Sequence, residues 1–214
     1  MALSSALTDA ASSLVADAST VINLVATGNA AAILRALPQR VLVVDVVQAE
    51  LETAGARGRT SLEGFRGLVA TGLIDVVPLP EEADSLFEGL VVGSAAETLD
   101  DGEAATIACA LARPAAALID ERKATRLCCE RFPLLRLAST VDVLCHAEVQ
   151  RQLGPGPLET AVYNALRDGR MSVLPHQVDW IVGVIGSERA ATCDSLPRRV
   201  RDAAVDPGGG RATL

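Results

Sequence analysis

Short runs of aliphatic residues alternate along the chain with longer segments in which apolar residues recur at helical spacing. The run VLVVDVV at 41–47 does not alternate with polar residues, which predicts a strand covered on both faces. The segment 19–37 instead carries Val21, Leu24 and Val25 at helical spacing. Strands that alternate with helices predict an α/β fold with a mostly parallel sheet. The other predicted strands are 14–18, 73–79, 115–120 and 134–140. Further helices are predicted at 48–54, 61–70, 81–93, 99–112, 121–132 and 141–153.

The pattern changes after the last predicted strand and its helix. GPGP at 154–157 ends the alternation, and residues 158–186 predict one or two further helices. From Ser187 the sequence turns to Arg, Asp, Pro and a triple glycine at 208–210, which predicts a flexible tail. The predicted organisation is a domain at 14–153, a helical extension at 154–186 and a flexible tail at 187–214.

Composition excludes several functional classes. The formal net charge of −8 disfavours an indiscriminate nucleic-acid clamp, because backbone binding rests largely on Lys and Arg meeting phosphates. The five cysteines include no C-x-x-C pair and only two histidines are present, so a structural zinc site is not expected. The chain shows no signal-peptide pattern and no uninterrupted apolar run of about 18 residues, which predicts a cytoplasmic protein without a membrane span.

Carboxylates lie where predicted strands and helices meet. Asp17 and Asp120 end apolar strands, and open parallel sheets bind their ligands outside the carboxyl ends of the strands. Glu50 follows the second strand, and Glu103 lies in the first turn of the helix before the Asp120 strand. Converging carboxylates repel unless a cation or a proton lies among them. Oxygen ligands without thiolates favour Mg²⁺ or Mn²⁺, so the pattern indicates a site for a hard divalent cation.

Two of these carboxylates also have a purely structural interpretation. Asp17 precedes a helix and could be its N-cap, with Ser19 or Thr20 as competing caps. Glu103 follows Asp100 by three residues, a spacing close to that of a capping box. The sequence alone leaves capping and metal binding open for both.

The other two acids and the remaining motifs can be weighed in the same way. Glu50, on an amphipathic helix, could simply be solvated, whereas an acid at the end of a buried strand, such as Asp120, seldom adds stability. The chain has no G-x-x-x-x-G-K-[ST] loop and no G-x-S-x-G elbow. Cys145 and His146 are adjacent on a predicted helix and point in different directions, which disfavours nucleophilic catalysis there.

Three stretches of the sequence carry a family resemblance. VADASTVINL at 15–24 has an Asp followed two residues later by Ser, LDDGEAATIACAL at 99–111 leads into AALIDERKATRLC at 116–128, and VVDVVQAELE at 43–52 is a weaker third match. Together they resemble the PIN domain family, in a branch of predicted nucleic-acid-binding bacterial and archaeal proteins related to the VapC ribonuclease toxins. The resemblance covers roughly residues 14–153.

The resemblance implies a three-layer α/β/α fold with a mostly parallel, four- to five-stranded sheet and a helical C-terminal extension. It implies an enzyme, a Mg²⁺- or Mn²⁺-dependent ribonuclease that hydrolyses RNA phosphodiester bonds, with a role as the toxin of a toxin–antitoxin pair as one option. The partners so implied are RNA and an antitoxin protein. The C-terminal extension could then be a dimerisation element, an antitoxin surface or a substrate lid.

The same resemblance assigns roles to individual residues. Asp17, Glu103 and Asp120 would ligate the metal. Glu50 would complete the catalytic site or position water, and Thr140 would hydrogen-bond a ligand or a phosphate. The implied substrate-binding residues are Ser19, Arg122, Lys123 and Arg126.

The sequence departs from the family pattern in two places. The proline common before the helix of the second acid is absent, with Val44 near that position, and the late glycine-threonine appears as Ser139 and Thr140. Asp142 replaces a small residue nearby. These departures and the acidic charge keep open a non-catalytic PIN-like module that acts through protein partners. A metal-dependent phosphatase acting on small phosphate esters is a third option.

Overall fold

Runs of small and β-branched apolar residues form a buried parallel sheet. The computed structural model describes Leu7 and residues 13–53, 55–94 and 97–205. Its strands are β1 (Ser13–Ala16), β2 (Val41–Val44), β3 (Ile74–Val77), β4 (Ala115–Leu118) and β5 (Leu137–Ala138). Within the described residues these five strands lie in the order β3-β2-β1-β4-β5, all parallel. The parallel sheet predicted from the sequence is therefore confirmed.

Helices connect the strands and cover the sheet. Up to β4 they are α1 (Ala18–Ala26), α2 (Ala30–Ala36), α3 (Asp45–Thr53), α4 (Gly55–Ala70), α5 (Asp84–Val91) and α6 (Asp101–Ala112). After β4 they are α7 (Arg122–Arg131), α8 (Thr140–Cys145), α9 (Ala147–Leu153), α10 (Pro155–Arg167), α11 (Val178–Ala191) and α12 (Arg198–Val205). Short 3₁₀ turns at Glu81–Ala83 and Pro175–Gln177 precede α5 and α11. This arrangement confirms the predicted α/β/α architecture with a helical C-terminus.

The strand order places the ends of β1 and β4 side by side at the centre of the sheet. Ala16 of β1 pairs with Leu118 of β4, and the Asp17 N–H donates to the Leu118 carbonyl at 3.2 Å. The chain leaves β1 towards β2 on one side, whereas β4 leads to β5 on the other. Such a switch point leaves a crevice at the carboxyl ends of the strands, where ligands of open α/β sheets bind.

Small residues let α6 pack closely on this centre. Its Ala104, Ala105, Ala108 and Ala110 side chains are buried, and the helix contacts β1, β2 and β4. β2 and β4 are buried at every position. With aromatic residues at only 2% of the chain, aliphatic side chains supply most of the core, as the composition predicts.

Two helix predictions need correction. The predicted helix at 141–153 is two helices, because His146 has extended backbone angles (φ −61°, ψ 132°) and the Gln150 side chain donates to the Cys145 carbonyl that ends α8. The predicted break at glycines 55–58 is instead the start of α4, while Ala54 lies outside the described residues. Gly64 lies against the Val25 side chain of α1, and its lack of a side chain allows α4 and α1 to pack closely.

The helices continue beyond residue 187, where the sequence predicts a flexible tail. Residue 187 lies inside α11, and α12 packs against α11 with Val200 against the hydrophobic core. Arg201 of α12 also forms an ion pair with Asp194 at 3.0 Å. The tail prediction is thus corrected up to residue 205, and residues 206–214, with their triple glycine, lie outside the described residues. Among the described residues, no helix is long and apolar enough to cross a membrane.

Candidate active site

Asp17 caps the helix that follows β1. Its Oδ1 accepts the Thr20 backbone N–H at 2.7 Å, and its Oδ2 accepts the Ser19 hydroxyl at 2.8 Å. The side chain is almost completely buried. The N-cap interpretation of Asp17 is therefore confirmed, and Ser19 bonds to the carboxylate instead of capping the helix itself.

Asp120 follows β4 and is held by three donors. Its Oδ1 accepts the Thr140 backbone N–H at 2.7 Å, while its Oδ2 accepts the Thr140 hydroxyl at 2.5 Å and the Asn23 side-chain amide at 2.6 Å. All three residues are buried. The structure thus brings Thr140 and Asn23 onto Asp120.

Asn23 is a site residue that the sequence predictions did not include. It lies on the buried side of α1, together with Thr20, Val21 and Leu24. The sequence does place a polar amide on the apolar face of α1, six residues after Asp17. A buried polar group needs a hydrogen-bonding partner, so this position could have marked Asn23 as a candidate site residue. That partner is 97 residues away in sequence, so the signal could not identify it.

Burial raises the pKa values of the two central carboxyls. The pKa of Asp17 rises to about 7 because the group is buried and because Asp120 lies nearby, whereas hydrogen bonds from Thr20 and Ser19 oppose the shift. Burial also raises the pKa of Asp120, against the opposing hydrogen bonds from Thr140 and Asn23. Each carboxylate is therefore a costly charge unless a proton or a cation accompanies it.

Glu103 lies in the first turn of α6, whose N-cap is Asp100. The Glu103 backbone N–H donates to Asp100 Oδ1 at 2.9 Å, so the Asp100 side chain caps the helix. Burial, followed by the charges of Asp100, Glu121 and Asp17, raises the pKa of the Glu103 carboxyl to about 8, and the Asp100 backbone N–H opposes the shift. Glu103 therefore belongs to the same electrostatic cluster as Asp17.

Glu50 approaches the same helix end from α3. A Cβ on Gly102 would collide with Glu50 Oε2, so the carboxylate lies directly against the Gly102 backbone. Partial burial, then the charges of Asp100 and Asp101, raises the pKa of Glu50. Glu50 lines an open cavity of about 700 Å³ together with Asp100, Asp101 and Gly102. It thus meets the N-terminus of α6 rather than Asp17 and Asp120.

The donor set suits a hard divalent cation by its chemistry, because the four acids offer oxygen ligands without thiolates. Each Asp17 oxygen accepts one hydrogen bond, and Asp120 uses three of about four acceptor positions, so lone pairs remain on both. Within the part of the chain that the structure describes, however, no three His, Cys, Asp or Glu side chains group closely enough to hold an ion. The acids supply suitable ligands without forming a closed cage.

The three basic residues predicted to contact RNA lie on α7 but differ in their surroundings. The Arg122 guanidinium donates to the Val173 carbonyl at 2.8 Å, so it ties α7 to the segment before α11. Lys123 is half-buried and Arg126 is exposed. Arg126 lines a cavity of about 430 Å³ near the end of α5, and none of the four predicted acids is among the residues that line that cavity.

A capping box accounts for Ser139 and Asp142, where the sequence departs from the family pattern. The Ser139 N–H and hydroxyl donate to Asp142 Oδ2 at 2.9 and 2.7 Å, and the Asp142 N–H donates back to Ser139 Oγ at 3.2 Å. The Gln177 amide donates to the same Ser139 oxygen at 2.8 Å. Ser139 and Asp142 thus start α8 and fix the backbone of Thr140, which binds Asp120.

Comparison with known proteins places most of this architecture in one family. A family model described as a PIN domain, DUF3368, matches residues 13–173, from β1 through the segment after α10. Comparisons with curated proteins and with solved structures returned no match.

Proposed function

The chain belongs to the PIN domain family, and on that premise we propose that it is a metal-dependent nuclease that hydrolyses RNA phosphodiester bonds. PIN domains are nuclease-type folds that generally use divalent metals. The proposal goes further in naming RNA as the substrate and in assigning residues to the reaction.

The burial of Asp17 beside Asp120 is the observation that carries the proposal. Burial and the neighbouring carboxylate both raise the pKa of Asp17, and the charge of Asp17 in turn contributes to the raised pKa of Glu103. Grouped buried carboxylates lower stability unless they serve a ligand. A divalent cation would remove the repulsion that raises these pKa values.

We assign the ligand role to Asp17, Glu103 and Asp120. The bound cation would supply an activated water and would stabilise charge on the phosphoryl group. Thr140 holds Asp120 in a single orientation, and Ser19 does the same for Asp17. Glu50, at the N-terminus of α6, would complete the site or position water.

The assignment of RNA contacts rests on the basic residues at the start of α7. Lys123 and Arg126 lie on α7, the helix that follows Asp120, and their positive charge favours phosphate binding. Arg122 already donates to the Val173 carbonyl, so we expect its substitution to disturb the fold as well as RNA binding.

Mn²⁺-dependent cleavage of RNA tests the proposal. Wild type is compared with Asp17→Asn and Asp120→Asn, which keep the shape of the side chains but remove their charge. Asp75→Asn is the matched control, because Asp75 lies on the edge strand β3 in an ion pair with exposed Arg40. We expect cleavage by wild type and the control and its loss in both site variants. Equal cleavage by all four proteins would refute the mechanism.

The rival hypothesis is a non-catalytic module, which the lack of a closed ligand cage among the described residues favours. Calorimetric titration with Mn²⁺ separates the two. Binding that Asp17→Asn abolishes supports the nuclease, whereas no binding at millimolar Mn²⁺ supports the module. A toxin role adds a cellular expectation: expression of wild type, but not of Asp17→Asn, arrests growth.

A further inference from the structure

The side-chain amide of Asn23 connects the acidic site with the C-terminal part of the chain. Its Nδ2 donates to Asp120 Oδ2 at 2.6 Å, and the residue is only 2% exposed. Its Oδ1 is buried without a hydrogen-bond partner. Exchanging the two amide atoms would place the oxygen against the Asp120 carboxylate, where two acceptors would face each other. Asp120 therefore dictates the orientation of the amide.

The unpartnered oxygen of Asn23 rests against Gly169, just after α10. A Cβ at Gly169 would collide with Asn23 Oδ1, and it would lie 2.8 Å from the Ala165 carbonyl and 3.2 Å from the Ala26 side chain. The Met171 N–H donates to the same Ala165 carbonyl at 3.0 Å, which fixes the turn around Gly169. Only glycine leaves room for the amide to reach Asp120.

Two further contacts join the segment after Gly169 to residues beside the site. The Val173 carbonyl accepts the Arg122 guanidinium at 2.8 Å, two residues after Asp120. Gln177 donates to Ser139 Oγ at 2.8 Å, one residue before Thr140. Residues 169–177 therefore pack along the same rim at three points, and Asn23 is the point that touches a proposed metal ligand directly.

We propose that Asn23 is a positioning residue that fixes Asp120 for metal binding, and that Gly169 holds the Asn23 amide in place. The inference rests on the proposed function in one respect, since it takes Asp120 as a metal ligand. The segment after α10 is then a working part of the metal site. A residue 49 positions after Asp120 in the sequence controls the orientation of the Asp120 carboxylate through one amide.

Metal affinity, rather than cleavage, is the primary readout. Thermal melts of the full chain are recorded with EDTA and over a Mn²⁺ series, and the Mn²⁺-induced rise in Tm gives the affinity. Loss of a group that orients a metal ligand typically weakens metal affinity about 10- to 100-fold. We expect that range for Asn23→Ala and for Gly169→Ala. A residue with a merely structural role would lower Tm in EDTA but leave the Mn²⁺-induced rise unchanged.

Gly156→Ala is the matched control, because Gly156 lies in α10, the helix that precedes Gly169, with open space where its Cβ would be. It should bind Mn²⁺ as wild type does. The double variant Asn23→Ala/Gly169→Ala should bind Mn²⁺ as weakly as Asn23→Ala alone, because the effect of Gly169 passes through Asn23. If Gly169→Ala does not fold, the Mn²⁺ affinity of Asn23→Ala alone tests the positioning role. Asn23→Ala only removes atoms, so it introduces no steric collision.

The possible results separate this inference from the function. Wild-type Mn²⁺ affinity in Asn23→Ala, or additive losses in the double variant, overturns the positioning role. A wild-type chain whose Tm does not respond to Mn²⁺ overturns the positioning role and the metal-dependent function together. A wild type that binds Mn²⁺, loses that binding in Asn23→Ala and yet cleaves no RNA supports the positioning role and contradicts the nuclease proposal.

Discussion

At the scale of single residues, the acids of the site combine a capping contact with an electrostatic one. Asp17 caps α1 through Thr20, yet burial and the charge of Asp120 raise its pKa. Glu103 lies in a first helical turn, where the helix dipole favours a carboxylate, yet it also interacts with Asp17. The sequence could not choose between capping and metal binding for these residues because the two roles are compatible.

The raised pKa values predict how the stability of the metal-free protein depends on pH. Asp17 rises from 3.8 to about 7 and Glu103 from 4.5 to about 8, so the folded state binds these protons more tightly than the unfolded state. Their contribution to stability is complete below the unfolded values, declines as pH rises towards the folded values, and is lost once pH has passed 7 and 8. We therefore expect Tm in EDTA to fall between about pH 4 and pH 8 and to level off at higher pH.

Asp17→Asn/Glu103→Gln tests the source of that pH dependence. The double variant lacks both titrating groups, so its Tm should vary less over the same range. Mn²⁺ binds the deprotonated carboxylates, so the Tm rise that it causes in wild type should grow with pH. Parallel pH curves for wild type and variant would show that other groups dominate.

Thr140 offers a second test at this scale. Thr140→Val keeps the volume but leaves the buried Asp120 Oδ2 without its hydroxyl donor. Leaving a buried acceptor short of a donor costs about 1–3 kcal/mol in the free energy of unfolding, which chemical denaturation measures. Thr160→Val is the control, because Thr160 is exposed and bonds only within α10. A cost no larger than that of the control would mean that the Thr140 hydroxyl does not support Asp120.

At the scale of elements, the position of strands and helices could be predicted better than their junctions. Hydrophobic runs locate all five strands, because buried parallel strands are nearly continuous apolar segments. The break at His146 could not be predicted, because it depends on the Gln150 side chain closing the end of α8. The sequence also could not predict that α3 packs against α6, the contact that brings Glu50 to the N-terminus of α6.

Gly102 tests that contact between α3 and α6. In Gly102→Ala the new Cβ displaces the flexible end of the Glu50 side chain, while the helix gains up to about 1 kcal/mol from the better helix former. We expect unchanged or higher stability with cleavage reduced on the order of tenfold, as for a lost supporting group. Gly67→Ala, in α4 with open space around it, should leave cleavage unchanged. Full activity in Gly102→Ala would remove Glu50 from the site.

At the scale of the whole molecule, the C-terminal helices share one hydrophobic core with the sheet. Leu158, Val162 and Leu166 of α10 and Ile181 and Ile185 of α11 are buried in the same cluster as the strands. The family match likewise continues to residue 173, past the boundary at 153 that the sequence suggests. GPGP forms the N-cap and first turn of α10, since Pro is favoured in the first turn of a helix. Composition alone could not show that the C-terminal helices share the core of the sheet.

A shared core predicts that the sheet and the C-terminal helices unfold together. Trp180, the only tryptophan, lies in α11 against the core, so its fluorescence reports the C-terminal helices while far-UV circular dichroism reports the whole chain. The two denaturation curves should coincide. Leu166→Ala should shift both curves equally, by about 2–5 kcal/mol, because it removes a buried side chain. Leu134→Ala, at a side chain that is 95% exposed, should shift neither by more than about 0.5 kcal/mol. Separate transitions would instead make residues 154–205 an independent unit, and Gly169 could not then control the geometry of Asp120.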